Sequence, residues 1–159
     1  MKTPIQFRLN GEDVATFADG GANLLDVLRE SVGDLSVKGG CWQGTCGSCT
    51  VTIDGVPRLS CLTLAESCAG KSIETVAGLR RGPDLHPLQN AFMERFAAQC
   101  GYCTPGMLMA AKALLDRNPN PTRQDVVEAL AGNICRCTGY EPIIAAVLDA
   151  AGGDSRRLA

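Results

Sequence analysis

Residues 39–51 read GGCWQGTCGSCTV, which places three cysteines and four glycines within thirteen positions. Thiols this close together on so flexible a backbone are typical of a disulfide pair, a zinc ion or an iron–sulfur cluster. The chain has nine cysteines in all, and each alternative predicts a different arrangement of the other six. An odd total leaves one cysteine unpaired in any disulfide framework, which argues against disulfides.

Composition narrows the class of protein. The chain has 159 residues, enough for one ordinary domain or two small ones, and its 45% hydrophobic and 20% charged residues are typical of soluble globular proteins. A net charge of −2 gives no electrostatic reason to expect nucleic acid or an anionic membrane as partner. No apolar run is long enough for a membrane span and no leader peptide is visible, which predicts a cytoplasmic protein with reduced thiols.

The first half of the chain has the pattern of short strands around one helix. Ile5, Phe7 and Leu9 alternate with polar residues, and Asn10-Gly11 suits a tight type I′ turn. The predicted elements are a hairpin over 5–17, a helix capped by Asn23 with Leu24, Leu25 and Leu28 on its apolar face, a second hairpin over 50–59 and a strand over 72–76.

The second half has the pattern of helices. Turn formers and charges over residues 79–87 predict a linker, and His86 within it is expected to be solvated. Leu88, Phe92 and Phe96 then recur at four-residue spacing, which predicts the apolar face of a first helix. Signals for the start of three further helices lie at Thr104, Thr122 and Thr138. The predicted organisation is an α+β domain over 1–78, the linker over 79–87, four helices over 88–151 and a frayed tail over 152–159.

Four cysteines form the first candidate site. Cys41, Cys46, Cys49 and Cys61 have the spacing C-x4-C-x2-C-x11-C, which matches the plant-type pattern for a 2Fe–2S cluster. Such a cluster is negatively charged, so backbone N–H groups must point at its sulfurs, and glycine adopts the necessary φ angles at least cost. We expect this freedom to be the role of the four loop glycines, Gly39, Gly40, Gly44 and Gly47.

A second set of cysteines lies at two predicted helix–helix turns. Cys100, Cys103, Cys135 and Cys137 form C-x2-C and C-x-C pairs, which together predict a four-thiolate site but leave zinc and 2Fe–2S open. Cys68 is left over and is expected to be a buried structural thiol rather than a reactive one. The single histidine excludes a Rieske centre within the chain and makes a His/Cys zinc finger or a histidine-dependent triad implausible.

Two segments together carry a family resemblance. GCWQGTCGSCTV…RLSC and QCGYCTPGM…GNICRCTGY, in this order, resemble the small iron–sulfur subunit of the molybdenum hydroxylase (xanthine oxidase) family, as in carbon monoxide dehydrogenase, isoquinoline oxidoreductase and 4-hydroxybenzoyl-CoA reductase. The resemblance covers residues from about 3 to 151. It implies a 2Fe–2S cluster at both sites, on an N-terminal β-grasp ferredoxin-like domain and a C-terminal four-helix bundle.

The resemblance also implies a role and partners. The chain is expected to relay electrons between the molybdopterin of a large subunit and the FAD of a medium subunit, in a heterotrimer that is often doubled. By this resemblance, Gln99 matches a glutamine that forms a hydrogen bond to the pterin, and Cys137 matches the cluster ligand closest to the pterin. The sequence alone favours Gln99 as a helix cap or a surface residue. Trp42 stands where relatives often have a small or acidic residue, and it is expected to shield the first cluster or contact a partner.

The expected relay needs no catalytic residue of its own, because the chemistry takes place on the partners. The alternative function is a zinc-stabilised cysteine-rich interaction module. The substrate, the direction of the reaction and the terminal electron acceptor are not encoded in this chain.

Overall fold

The computed structural model describes residues 2–80 and 82–152. Five strands form one sheet in the order β2-β1-β5-β3-β4, in which β1 and β5 are parallel and the other neighbours antiparallel. The strands are β1 (Lys2–Leu9), β2 (Glu12–Asp19), β3 (Thr50–Ile53), β4 (Val56–Leu59) and β5 (Ser72–Glu74). The mixed sheet and the helices below make the fold α+β, as predicted.

Within the described residues, one short helix packs against the sheet and four helices follow it. Helix α1 (Leu24–Asp26) continues into a π-helical turn, Val27–Val32. The later helices are α2 (Pro87–Glu94), α3 (Thr104–Arg117), α4 (Arg123–Leu130) and α5 (Glu141–Ala151). Short 3₁₀ turns cover Ser60–Leu62, Ala65–Cys68 and Val76–Leu79. Among the described residues no helix combines the length and the apolar character that crossing a membrane requires.

Both predicted hairpins are confirmed. Asn10 and Gly11 have φ angles of 53° and 90°, and Asp54 and Gly55 have 50° and 77°, the left-handed values that a type I′ turn requires. The fifth strand ends earlier than predicted, at Glu74. Thr75 leaves the sheet because its N–H donates to the Asn10 side chain (2.8 Å) and its hydroxyl to Asp34 (2.7 Å).

The predicted start of α1 is also confirmed. The Asn23 side-chain oxygen accepts the N–H of Asp26 at 2.9 Å, which satisfies one of the free donors at the helix N-terminus. Leu24, Leu25 and Leu28 are fully buried, as their spacing predicted. Thr122 caps α4 in the predicted capping box with Asp125.

Four expectations for the second half were wrong. Thr104 was expected to cap α3 but is its first residue; Cys103 takes the N-cap position, and no side chain caps this helix. Helix α2 ends at Glu94, so Phe96 lies beyond it with a φ of 52° and 82% of its surface exposed. Thr138 does not cap α5; its hydroxyl donates to the Cys135 sulfur instead, and Tyr140 takes the N-cap position. His86 is not simply solvated, because its Nδ1 accepts the N–H of Leu88 and caps α2.

Buried side chains form two hydrophobic clusters. One joins the sheet to α1 around Phe7, Leu28 and Ile73. The other joins α2 to α5 around Phe92 and Met107, and it includes Leu79 from the start of the predicted linker. We refer to residues 2–74 as the sheet half and to residues 87–151 as the helical half. The exact domain bounds stay a prediction, and the predicted tail lies outside the described residues from position 153 onward.

Candidate metal centres

All nine cysteines are free thiols. Eight belong to the two predicted groups, which the fold places on loops beside the sheet and between the helices. Cys68 is separate from both; it has no exposed surface and packs within the hydrophobic cluster of the sheet half. Its burial agrees with the structural role that the sequence predicted.

The first group lies mainly on the loop of residues 39–49, called here the first loop. The N–H groups of Thr45 and Cys46 point at the sulfur of Cys41, at 3.2 and 3.4 Å. Hydrogen bonds from the backbone of Gln43 and then of Cys46 lower the pKa of the Cys41 thiol to about 6, against a smaller opposing effect of burial. The loop therefore favours a thiolate at this position.

The loop glycines have two different physical roles. Gly44 and Gly47 have φ angles of 78° and 72°, so these two supply the expected conformational freedom. Gly39 and Gly40 do not have positive φ, and the expectation was wrong for them. They are small because of crowding: a Cβ on Gly39 would lie 2.4 Å from the Trp42 ring, and one on Gly40 would lie 2.9 Å from the Cys46 sulfur.

Cys61 completes the first group from the 3₁₀ turn after β4. It is buried, and its thiol interacts with that of buried Cys49. Burial has the larger effect and the hydrogen bond between the Cys61 and Cys49 thiols the next, and together they raise the pKa of Cys61 to about 11. The Ser60 hydroxyl donates to the Cys49 carbonyl at 2.8 Å, which ties the turn to the end of the first loop.

The second group brings together the loop before α3 and the loop between α4 and α5. The sulfurs of Cys100 and Cys137 are 3.5 Å apart. Cys103 interacts with Cys135, and burial followed by this contact raises the pKa of Cys103 to about 12. The Thr138 hydroxyl donates to the Cys135 sulfur at 3.1 Å, so this group also has a hydrogen bond aimed at sulfur.

The thiols in both groups meet in pairs. The pairs are Cys41 with Cys46, Cys49 with Cys61, Cys100 with Cys137, and Cys103 with Cys135. A 2Fe–2S cluster held by four cysteines takes two thiolates on each iron, so paired thiols with donors aimed at sulfur fit this group. Among residues 2–80 and 82–152, no three His, Cys, Asp or Glu side chains are grouped to hold one metal ion.

The two cysteine groups lie on loops that touch. The N–H of Ile134 donates to the Cys46 carbonyl at 2.9 Å, across the boundary between the halves. The approach is close, because a Cβ on Gly106 would lie 2.2 Å from the Gly47 carbonyl oxygen. Sequence reasoning missed this contact.

Two side chains reinforce that contact, and sequence reasoning missed them too. The Tyr102 hydroxyl donates to the Gly39 carbonyl and the Asn133 amide to the Gly47 carbonyl. The sequence signal that could have singled out these two residues is their position, because Tyr102 lies within the motif QCGYC and Asn133 within GNIC, the motifs that carry the second group.

Each group has one side near the protein surface. Cys100 and Cys137 are exposed, as is Gln99 beside them. At the first group, 51% of Trp42 and 62% of Leu62 are exposed. The Trp42 ring covers Gly39 and its N–H donates to Asp26 at 3.0 Å, so this tryptophan is held in place although half of it faces outward.

Comparison with known proteins identifies both halves. Residues 12–95 match the family described as a 2Fe-2S iron-sulfur cluster binding domain, and residues 75–148 match the family described as a 2Fe-2S binding domain. These descriptions favour iron over zinc at the second group, which the cysteine spacing left open.

Relatives are similar along nearly the whole chain. The small subunit of nicotine 6-hydroxylase from Paenarthrobacter nicotinovorans is 48% identical, over 95% of this chain and 91% of the relative. The structure of quinoline 2-oxidoreductase from Pseudomonas putida 86 contains a chain that is 48% identical with a TM-score of 0.92, covering 95% of this chain and 94% of that one.

Another relative contains the same fold within a longer polypeptide. The aldehyde oxidoreductase from Desulfovibrio desulfuricans superposes with a TM-score of 0.90 at 43% identity, over 94% of this chain but only 17% of its own. The chain belongs to the small iron–sulfur subunits of the molybdenum hydroxylase family, which serve in molybdenum-dependent dehydrogenase complexes and are not catalytic on their own.

Proposed function

We propose that this chain is an electron relay. It holds a 2Fe–2S cluster on each cysteine group and passes single electrons between the molybdopterin of a large partner subunit and the FAD of a medium partner subunit. The proposed ligands are Cys41, Cys46, Cys49 and Cys61 at the first site and Cys100, Cys103, Cys135 and Cys137 at the second.

The observation that carries this proposal is the hydrogen bond from the N–H of Ile134 to the Cys46 carbonyl, at 2.9 Å. Cys46 is a proposed ligand of the first site, and Ile134 is bonded directly to Cys135, a proposed ligand of the second. Covalent bonds and one hydrogen bond therefore join the two sites. A 2Fe–2S cluster, when bound, accepts and returns one electron at a time.

The residues of the chain contribute ligation, hydrogen bonds and exclusion of water. The N–H groups of Thr45 and Cys46 stabilise negative charge on the Cys41 sulfur, and the hydroxyl of Thr138 does so on Cys135. Burial of Cys49 limits the access of water to the first site. Hydrogen bonds to sulfur and exposure to solvent are the features by which a protein adjusts the reduction potential of such a site.

The exposed side of each site suggests the position of each partner. We assign the surface of Gln99, Cys100 and Cys137 to the molybdopterin subunit, with Gln99 bonding the pterin and Cys137 as the nearest ligand. The surface around Trp42 and Leu62 is assigned to the FAD subunit. The proposed assembly is a heterotrimer or a pair of heterotrimers, and its proposed location is the cytoplasm.

Metal analysis and electron paramagnetic resonance (EPR) of the anaerobically purified native complex test this proposal. We expect four irons and four acid-labile sulfides per copy of this chain, and two distinct EPR signals after reduction. Illumination of the FAD in the presence of EDTA should reduce the flavin first and then give both signals. Two zinc ions and no labile sulfide would instead support the zinc-stabilised interaction module.

Cysteine variants separate the two sites. Cys103→Ser should abolish one EPR signal and leave the other, because the proposed ligand sets share no residue. Cys68→Ser is the matched control, since Cys68 lies outside both groups, and it should leave both signals. Loss of both signals in Cys103→Ser, with the fold intact by circular dichroism, would show that the assignment of two sites is wrong.

A further inference from the structure

Two side chains of the helical half reach the backbone of the first loop. The Tyr102 hydroxyl donates to the Gly39 carbonyl at 2.7 Å. The Asn133 side-chain amide donates to the Gly47 carbonyl at 2.9 Å. These bonds connect residues 63 and 86 positions apart in the chain, so they join separate parts of the fold.

The donors come from the two loops that carry the second cysteine group. Tyr102 lies between Cys100 and Cys103, directly before Cys103, and Asn133 lies two positions before Cys135. A shift of the backbone at either donor residue would therefore also move the neighbouring proposed ligand. Each ligand loop of the second site thus makes its own attachment to the first loop.

The acceptors lie on either side of the first two cysteines of the loop. Gly39 is two positions before Cys41, and Gly47 directly follows Cys46. The two attachments therefore hold both ends of the segment that bears these ligands. The hydrogen bond between Ile134 and Cys46 runs in the same region, through backbone atoms alone.

The contact at Asn133 has little room to adjust. Only 6% of Asn133 is exposed, and its amide also approaches the Thr50 hydroxyl at 3.4 Å. A Cβ on Gly47 would lie 2.4 Å from the Gly132 carbonyl, so the two backbones are nearly in contact. The Gly47 carbonyl also accepts the hydroxyl of Thr50 at 2.7 Å and its N–H at 3.1 Å. Rotation of the Asn133 side chain would therefore leave its own buried amide, rather than the carbonyl, without this partner.

We infer that Tyr102 and Asn133 are positioning residues that fix the first loop against the second site and so set the distance and orientation between the two clusters. The inference rests on the proposed ligand sets. Because electron transfer slows steeply with distance between centres, one fixed separation keeps the relay at one rate. Residues that merely stabilise the fold would not alter the coupling between the clusters.

The test uses Tyr102→Phe, Asn133→Ala and the double variant in the native complex. When both clusters are reduced, their unpaired spins interact, and low-temperature EPR detects the interaction as a splitting of the signals. We expect full iron content in Tyr102→Phe with a broadened or shifted splitting, and a greater loss of the resolved splitting in the double variant. The splitting is expected to lose resolution because the loops, and the clusters on them, would then adopt a range of separations.

Tyr140→Phe is the matched control, because Tyr140 is the only other tyrosine in the chain. Its hydroxyl accepts the N–H of Cys135 at 2.9 Å, entirely within the helical half. Removing this hydroxyl deletes the same atom from the same residue type without touching the first loop. Because Cys135 is a proposed ligand, any change in this variant is confined to the second site, and we expect it to alter the splitting less than Tyr102→Phe does.

Each outcome decides the inference. An unchanged splitting in the double variant at full iron content would overturn it and leave the relay proposal intact. A wild-type complex without two cluster signals would overturn both. If Asn133→Ala lowers iron content, Tyr102→Phe decides alone, since it removes one oxygen atom: an altered splitting supports the positioning role, and an unaltered one overturns it.

Discussion

The indole nitrogen of Trp42 lies 3.0 Å from Oδ1 of Asp26 and donates a hydrogen bond to it. Asp26 belongs to α1, and its other carboxylate oxygen accepts the Asn23 side-chain amide at 2.8 Å. The bond therefore ties the first loop to the capped helix behind it. The ring itself lies over Gly39, next to the backbone that precedes Cys41.

This arrangement predicts that the ring of Trp42 matters more than its N–H. Trp42→Ala should leave a space beside Cys41 that water can enter, also beneath the proposed FAD subunit, and so raise the reduction potential of the first site, because solvent stabilises the more negative reduced form. Trp42→Phe keeps a ring over Gly39 and should leave the potential close to that of the wild type. Redox titration followed by EPR measures both, and equal shifts in the two variants would contradict a covering role for the ring.

The contact between the halves predicts different effects at two glycines. Gly106→Ala would place a methyl group 2.2 Å from the Gly47 carbonyl, so a backbone must move. Overpacking of this kind typically costs about 1–3 kcal/mol. Thermal unfolding of the complex should therefore begin at a lower temperature, accompanied by earlier loss of iron.

Gly132→Ala is the control for that prediction. A Cβ on Gly132 would meet no atom within 4 Å, and this glycine does not have the left-handed φ that disfavours alanine. Its unfolding temperature should equal that of the wild type or exceed it slightly. Similar losses in both variants would show that the close approach at Gly106 is not the cause.

Sequence reasoning succeeded where a feature depends on neighbouring residues. The turns at Asn10-Gly11 and Asp54-Gly55 and the caps at Asn23 and Thr122 each depend on residues within three positions. Such features are encoded locally, because the side chain that satisfies the backbone is close in the chain. The cysteine spacing assigned eight thiols to two groups, and within each group the structure brings thiols together in pairs; the ligand sets themselves stay a prediction.

It failed where a local group has a competing partner or a crowded neighbour, and where the partner is distant in the chain. Thr138 was expected to cap α5, but its hydroxyl bonds to the Cys135 sulfur. Gly39 was expected to supply conformational freedom, but the Trp42 ring requires its small size. The contacts of Tyr102 and Asn133 depend on how the halves pack, which no local pattern encodes.

Cys68 is predicted to be dispensable for metal binding. Burial raises the pKa of its thiol and leaves it no exposed surface, so the native protein should resist alkylation at this position. Cys68→Ala should retain all iron and cost about 1 kcal/mol of stability through the small cavity it creates. Mass spectrometry after alkylation, with iron analysis, measures both, and loss of iron would place Cys68 in a metal site.

The capping box of α4 predicts that Asp125→Asn is less stable than the wild type by an amount that does not change across neutral pH. The carboxylate of Asp125 accepts the N–H and the hydroxyl of Thr122 at 2.7 and 2.8 Å, and these bonds lower its pKa below the ordinary value of 3.8. A carboxyl with a lowered pKa stabilises the fold above its unfolded pKa, and this contribution is lost as pH falls through the folded pKa. Asp125→Asn should therefore lower the unfolding temperature by the same amount from about pH 8 down to about pH 5. Glu128→Gln, on the same helix but outside the cap, should lower it less, and a difference that already shrinks between pH 8 and 5 would contradict the lowered pKa.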